Sequence, residues 1–314
     1  MIISITGGTG FIGRKLAMYH LARGDSVRIL SRRSLNELCL PSSVKLYRGD
    51  LSSAADLTSF AESADILYHC AGEVRNEDRM RSVHIDGTMK LIDAARGRIG
   101  RWVQLSSVGV YGSVRNGIVA EEFRLTPIGI YEESKFQSDN LVTAAGLSGA
   151  FEHVILRPSN VYGSEMTNQS IFKLISMIQR GLFFFIGKPE SIASYIHVDN
   201  VVNALALCGE NPIAKGQIYN LSDHVFMEQF ILSIATELKA SKPNIRLPEL
   251  PVRMAVKFFE TIPGFPLTET RVDALTGRAI YLSDKIKRDL GYRHLVSMEE
   301  GIRDVVEYWK RSRK

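Results

Sequence analysis

Ile2-Ile3-Ser4-Ile5-Thr6-Gly7-Gly8-Thr9-Gly10-Phe11-Ile12-Gly13 opens the chain, and its reading decides the fold. A short β-branched run ends in a glycine loop, and Phe11 to Ala22 then carries Ile12, Leu16 and Leu21 at helical spacing. A glycine loop between a strand and a helix is the context in which this pattern holds a dinucleotide pyrophosphate. Gly7 permits the tight turn, Gly10 lets backbone approach the anion, and Gly13 allows close helix–strand packing. The helix N-terminus, with the backbone of Phe11 and Ile12, supplies unpaired N–H groups and partial positive charge.

Strand and helix patterns then alternate. Val27 to Leu30, Val44 to Tyr47, Ile66 to Cys70, Trp102 to Leu105 and Val154 to Leu156 read as strands, with His84 to Ala95 a helix. Repeated units of this length predict a doubly wound parallel α/β sheet of Rossmann type. Beyond Gly163 the pattern becomes irregular: Ile171 to Gln179 and Val201 to Cys208 read as helices, Tyr195 to Val198 as extended. Pro243, Pro248, Pro251, Pro263 and Pro266 punctuate a late region. Ser297-Met298-Glu299-Glu300 is a capping box, and Ile302, Val305, Val306 and Trp309 mark one apolar helix face. We therefore expect a dinucleotide-binding domain over 1–165, rejoined at about 192–222, and a smaller discontinuous substrate lobe from 166–191 and 223–314.

The end of the second strand bears on which dinucleotide binds. An acidic residue there would receive the ribose 2′-hydroxyl, but this chain has Ser31-Arg32-Arg33. A hydroxyl and guanidinium groups suit a 2′-phosphate, so NADP(H) is expected over NAD(H), which stays the alternative. Asp50 is placed to accept from the adenine amino group, with Leu51 on the ring; capping the following helix is the competing role for Asp50. Ala71-Gly72 closes the fourth strand on the same side.

Hydride transfer to a carbonyl creates an alkoxide that needs a proton. Tyr131 and Lys135 are four residues apart and share a helix face, where an ammonium favours the phenolate. Ser107 can hydrogen-bond the same carbonyl oxygen. These three form the expected catalytic set.

Here the chain resembles the extended short-chain dehydrogenase/reductase family, its NAD-dependent epimerase/dehydratase group, over essentially its whole length. Thr6 to Gly13 matches the family's opening motif, and Leu105-Ser106-Ser107-Val108-Gly109-Val110-Tyr111-Gly112 is similar to its serine strand. Gly87-Thr88, Arg157-Pro158-Ser159-Asn160-Val161-Tyr162-Gly163 and His197-Val198-Asp199 also match. The resemblance implies that Lys135 also holds the nicotinamide ribose, that Pro158 and Ser159 line the nicotinamide, and that Asn160 and Arg271 contact substrate. It further implies a homodimer formed by a helix pair beside the tyrosine. Three departures stand out: His84 where the family often has Asn, Glu132 where a small residue usually follows the tyrosine, and Ala193-Ser194 where nucleotide-sugar members often carry an arginine.

The first reading is an NADP(H)-preferring reductase of a 4-keto nucleotide sugar. A nucleotide-sugar 4-epimerase with retained NAD, a steroid- or flavonoid-like ketone reductase, and a non-catalytic cofactor sensor are the alternatives. Net charge is +5, but the only dense basic run is Lys310-Arg311-Ser312-Arg313-Lys314, and no aromatic-basic platform suggests nucleic acid. Cys39, Cys70 and Cys208 fit no metal or redox spacing and read as reduced thiols of a cytoplasmic protein. His69, His153 and His197 lack a second ligand at useful spacing, so no metal is expected. Met1 to Thr6 lacks the basic flank and length of a signal peptide, and no run nears the ~20 apolar residues of a membrane span. Leu182 to Ile186, the most apolar short run, reads as a buried strand or pocket wall rather than a membrane contact.

Overall fold

The computed structural model describes residues 1–34, 37, 40–52, 54–166, 168–259 and 267–313; Cys39, Pro263, Pro266 and Lys314 lie outside them. Seven parallel strands form the central sheet: β1 (Ile2–Thr6), β2 (Ser26–Ser31), β3 (Lys45–Arg48), β4 (Ala64–His69), β5 (Ile99–Leu105), β7 (Glu152–Pro158) and β11 (Ile218–Leu221). Their spatial order is β11-β7-β5-β4-β1-β2-β3. The order reverses between β1 and β4, which opens a crevice at the strand C-termini.

Both sheet faces are covered. On one, Ile3, Ile5, Ile29, Tyr68, Val103 and Leu156 pack against Leu16 of the helix Phe11–Ala22 and Val201 and Leu205 of the helix Val198–Glu210. On the other, Leu30, Leu67 and Trp102 meet Phe60, Leu91, Val142 and Phe151. Burial on both sides explains why β1 and β4 read as continuous apolar runs rather than alternating ones.

Three smaller sheets stand beside the main one. β8 (Asn160–Tyr162), β10 (Ile192–His197) and β12 (Asp223–Phe226) form the first, with β10 central. β6 (Asn116–Val119) pairs with β14 (Arg278–Tyr281), and β9 (Phe185–Ile186) with β13 (Arg246–Leu247). Helices Ser170–Gln179, Met227–Leu238 and Met298–Arg311 enclose a second core around Phe230, Ile231, Ile302 and Trp309. Tyr195 of β10 stacks on Phe230 with ring centroids 4.8 Å apart. Ser297 and Glu300 form the expected capping box, a device worth about 1 kcal/mol.

Several elements differ from the sequence reading, the short strands β6, β8, β12, β13 and β14 among them. The helix expected over His84 to Ala95 begins with a π-helical turn, Ser82–Asp86, before regular helix over Gly87–Ala95. The β11 strand was not foreseen, because four residues after a Gly-containing turn carry too short a pattern.

Candidate active site

Backbone geometry builds the coenzyme side. Gly7 has φ +67°, and a Cβ there would stand 2.7 Å from the Cys70 carbonyl and the Ala71 nitrogen. Gly13 lies so close to the Gly7 carbonyl that any Cβ would collide with it, and a Cβ at Gly8 would press on Ile29. Gly10 caps the first helix with no side-chain hydrogen bond, and the first turn has no acidic residue. The N–H groups there are left for an anion.

A cleft of about 600 Å³ spreads from this turn across the strand ends. Thr6, Gly7, Gly10, Ser31, Arg32, Arg33, Asp50, Leu51, Ala71 and Gly72 line it, so most of the expected coenzyme residues come together. Phe11 and Ile12 contribute backbone only: Phe11 packs toward the second core and Ile12 on the first. Pro158 and Ser159 lie at the end of β7, away from this cleft lining. The Ser159 N–H donates to the Leu221 carbonyl (2.8 Å), and its hydroxyl meets that of Ser222 (2.9 Å).

Two carboxylates in the cleft are already engaged. Asp50 Oδ1 accepts from the Ser52 N–H (2.8 Å) and hydroxyl, and these bonds, with Arg32 and Arg79 nearby, hold its pKa below the usual range. Asp50 thus closes a local turn onto Ser52 at the end of β3, with its carboxylate on the cleft lining. Leu51 leans on Gly87, where a Cβ would come within 2.8 Å. Glu73 accepts from the N–H groups of Val74, Arg75 and Asn76 at 3.0, 2.9 and 3.2 Å. Both acids stay anionic, and Arg32, Arg33 and Arg79 outnumber them on the cleft wall. Ser31 Oγ accepts from the Arg33 N–H (3.1 Å), which fixes the turn carrying both guanidinium groups.

The candidate trio Ser107, Tyr131 and Lys135 gathers where β5 ends and the helix Ile130–Leu147 begins. Ser107 Oγ accepts from the Gly109 N–H at 3.1 Å. Tyr131 is partly buried, and its phenol pKa is pushed up to about 12, first by burial and then by the Glu132 carboxylate; a hydrogen bond with Ser107 opposes the rise. Lys135 is buried and donates to the Leu105 carbonyl at 2.5 Å, and burial lowers its own pKa. The expectation that Lys135 makes the phenol more acidic is thus corrected for the protein alone. Desolvation and a neighbouring anion outweigh an ammonium that is turned to a backbone carbonyl. Glu132 fits because Gly109 and Gly129 leave room for it: a Cβ at either would crowd its side chain.

His84 joins the trio to the cleft. Its Nε2 accepts from the Glu73 N–H (2.8 Å), which leaves Nδ1–H to donate to Ser134 Oγ (2.7 Å). Its ring meets the Tyr131 ring edge-on at 5.7 Å. Burial, with Lys135 assisting, lowers its pKa to about 3, so it is neutral. His69 is likewise held at about 3 by burial, between Thr6 (2.6 Å) and Thr88 (3.0 Å). These histidines serve a polar scaffold, as does Arg157, which bonds Asp139 and the Tyr111 hydroxyl (3.1 Å). His197 caps the helix that follows it. Among the described residues no group of three His, Cys, Asp or Glu could hold a metal, and no helix is long and apolar enough to cross a membrane.

A second, apolar pocket of about 150 Å³ lies in the later half. Leu174, Met177, Phe183, Phe184, Ile186, Tyr195, Leu267 and Leu275 line it with Lys173 and Arg271. The Leu182 to Ile186 run is a pocket wall as expected, with Leu182 itself exposed. Asn160 pairs in register with Tyr195 and donates to the Ser194 carbonyl (3.3 Å), which ties the end of β7 to this pocket. Arg271, on the helix Glu269–Thr276, lines the same pocket as Tyr195, the register partner of Asn160.

Comparison with known proteins agrees with this geometry. The NAD dependent epimerase/dehydratase family matches residues 3–222. A 4-hydroxy-2-methyl-3-oxo-4-farnesyl-3,4-dihydroquinoline-1-oxide ketoreductase from Stigmatella aurantiaca is 28% identical, covering 95% of this chain and 93% of the relative. A decarboxylating sterol-4-alpha-carboxylate 3-dehydrogenase from Mus musculus is 25% identical, covering 99% of this chain and 91% of the relative. The solved UDP-glucuronic acid 4-epimerase of Bacillus cereus, in complex with NAD, superposes with a TM-score of 0.79 at 19% identity over 100% of both chains. The chain belongs to the NAD dependent epimerase/dehydratase family of extended short-chain dehydrogenases/reductases, and is an NAD(P)-dependent oxidoreductase/epimerase.

Proposed function

We propose that this enzyme interconverts a ketone and a secondary alcohol on a largely apolar substrate, with NADP(H) preferred to NAD(H). The observation that carries this reading is the pocket walled by Phe183, Phe184, Ile186, Leu174 and Leu275. Burying such a wall against a polar sugar alone gains little, whereas an apolar ring or chain gains roughly 25 cal/mol per Å² removed from water. Relatives named for a farnesylated quinoline oxide and a sterol carboxylate support the same class.

The coenzyme fits the cleft's uncapped helix N-terminus, with Arg32 and Arg33 toward a 2′-phosphate. When bound, it supplies or accepts the hydride. Ser107 and Tyr131 would hydrogen-bond the carbonyl oxygen. Tyr131, kept protonated by burial and by Glu132, would give its phenolic proton to the forming alkoxide. Lys135 would turn from the Leu105 carbonyl to the nicotinamide ribose and restore the phenol's proton. Pro158 and Ser159 would flank the nicotinamide, and Asn160 and Arg271 would contact the substrate, within a lobe formed by 166–191 and 223–314.

A nucleotide sugar is the second reading, favoured by Arg271 and Lys173 at the rim of the apolar pocket, where they could hold a diphosphate. Both a 4-keto reductase and a 4-epimerase fall within it. The discriminating assay follows NADPH consumption with a panel of polycyclic and prenylated ketones against UDP- and dTDP-4-keto sugars. Turnover confined to nucleoside-diphosphate sugars, or purification with tightly held NAD and no net coenzyme change, overturns the apolar reading. A cytoplasmic homodimer completes the proposal. Among the described residues Cys70 and Cys208 are free thiols, which suits a reducing compartment. Sedimentation velocity tests the dimer.

A further inference from the structure

The helix Glu249–Phe259 forms the outer wall of the apolar side of the molecule. Val252 and Val256 face inward and pack with Ile186 and Val272, beside Phe184, Leu267 and Leu275 of the apolar pocket. Its inner flank is pinned by ions. Arg253 bonds Glu249 at 2.8 Å, Glu269 at 2.6 Å and Asp273 at 2.6 Å, and Arg115 bonds Glu249 at 2.7 Å. The helix cannot roll its outer face inward without breaking that cluster.

Leu250, Met254 and Phe258 recur every four residues on the outer face, which is one stripe of an α-helix. They are 71%, 61% and 79% exposed. Pro251 and Ala255 extend the stripe, and among the described residues of the helix Lys257, at its edge, is the only charge on this arc. Ile245 and Leu247, on the segment entering the helix, are exposed too. A surface helix normally carries its charges outward. Here the charges are spent inward and the apolar residues are presented to solvent, and such a patch marks an interaction surface.

We propose that this face docks on an anionic lipid surface, with the stripe entering the acyl boundary and the lysines meeting headgroups. Charge decides for lipid over a second copy of the chain. Exposed Lys239 and Lys242 precede Ile245, and Lys257 lies beside the stripe. Among the described residues of this helix the one acid, Glu249, is already paired with Arg115 and Arg253, so no described acid of the helix answers those cations in a symmetric self-contact. Apolar residues flanked by lysines match the headgroup–acyl boundary of a bilayer. The same helix backs the apolar pocket, so docking would place that pocket next to a phase in which its ligands dissolve. This last step rests on the apolar-substrate reading; the docking itself does not.

The test is co-sedimentation of the full chain with phosphatidylcholine vesicles, with and without phosphatidylserine. Partitioning should rise with the anionic lipid and fall at least about tenfold in Leu250→Glu/Met254→Glu/Phe258→Glu. Should that triple variant fail to fold, Phe258→Trp reports instead, through quenching by brominated acyl chains. Turnover of a water-dissolved ketone, read without vesicles, should be unchanged in folded variants, which separates failure of docking from failure of the substrate reading. Absence of wild-type binding to anionic vesicles overturns the proposal. So does a dimer that the triple variant dissociates while vesicle binding persists, which would make the patch a self-interface.

Discussion

The two sides of the active site are made of different material. The coenzyme side is mostly main chain: three glycines held against backbone atoms, a helix end without a side-chain cap, and carboxylates already satisfied by N–H groups. The pocket proposed for substrate is walled by side chains, with Phe, Leu, Ile and Met drawn from separate segments of the later half. A backbone-built site tolerates few residue types at few positions and so leaves a fixed imprint. A site built from side chains can be re-walled without changing the fold, which is why it varies with the molecule it accepts.

The contrast can be broken most decisively between the two sides, at the proton donor. Tyr131→Phe should lower turnover on the order of 10²-fold or more while coenzyme affinity holds, read by steady-state kinetics and fluorescence titration. Equal turnover would remove the acid from its assigned place. On the coenzyme side, Gly13→Ala forces a methyl onto the Gly7 carbonyl, and overpacking of this kind costs about 1–3 kcal/mol. Urea unfolding should show that loss together with weakened coenzyme binding. The corresponding change across the site, Phe184→Ala, should raise KM for substrate and leave coenzyme binding alone.

Arg32→Ala/Arg33→Ala sharpens the coenzyme side further. Affinity for NADPH should fall about tenfold relative to NADH, since a lost charged hydrogen bond is worth about 1.5 kcal/mol. A parallel drop for both coenzymes would make the arginines general rather than selective. The last effect is set by pH rather than by substitution. His69 and His84 are held near 3 when folded against 6.5 unfolded. The unfolded chain therefore binds more protons below 6.5, and stability falls as pH drops from 6.5 toward 3. At pH 5 the loss is about 2 kcal/mol per histidine, measurable as a lower urea midpoint than at pH 7. His84→Asn should remove roughly half of that slope.

Legibility in the sequence followed the same divide. The parallel sheet, the glycine turn and the capping box were readable because each rests on a local pattern with one structural meaning. The trio Ser107, Tyr131 and Lys135 could be named by spacing, but its electrostatics could not. That Glu132 raises the phenol's pKa, from a side chain lodged beside Gly109 and Gly129, and that Lys135 is turned to the Leu105 carbonyl, depend on packing that spacing does not report. That Asp50 also accepts from the Ser52 hydroxyl and N–H is a local turn that the strand-end reading did not include. The apolar pocket drew one wall from the Leu182 to Ile186 run, yet Leu174, Met177 and Leu275 carried no sign that they would meet it.

The place of β11 at the rim of the sheet has a consequence for how this chain is made. Ile218–Leu221 zips along β7 only after the intervening stretch of the later lobe has been synthesised. Until residue 221 leaves the ribosome, β7 is a raw border whose N–H and C=O groups invite the wrong neighbour. A piece ending at 165 would keep that border open, because the strand that covers it arrives only when the chain returns to the sheet at Ile218–Leu221.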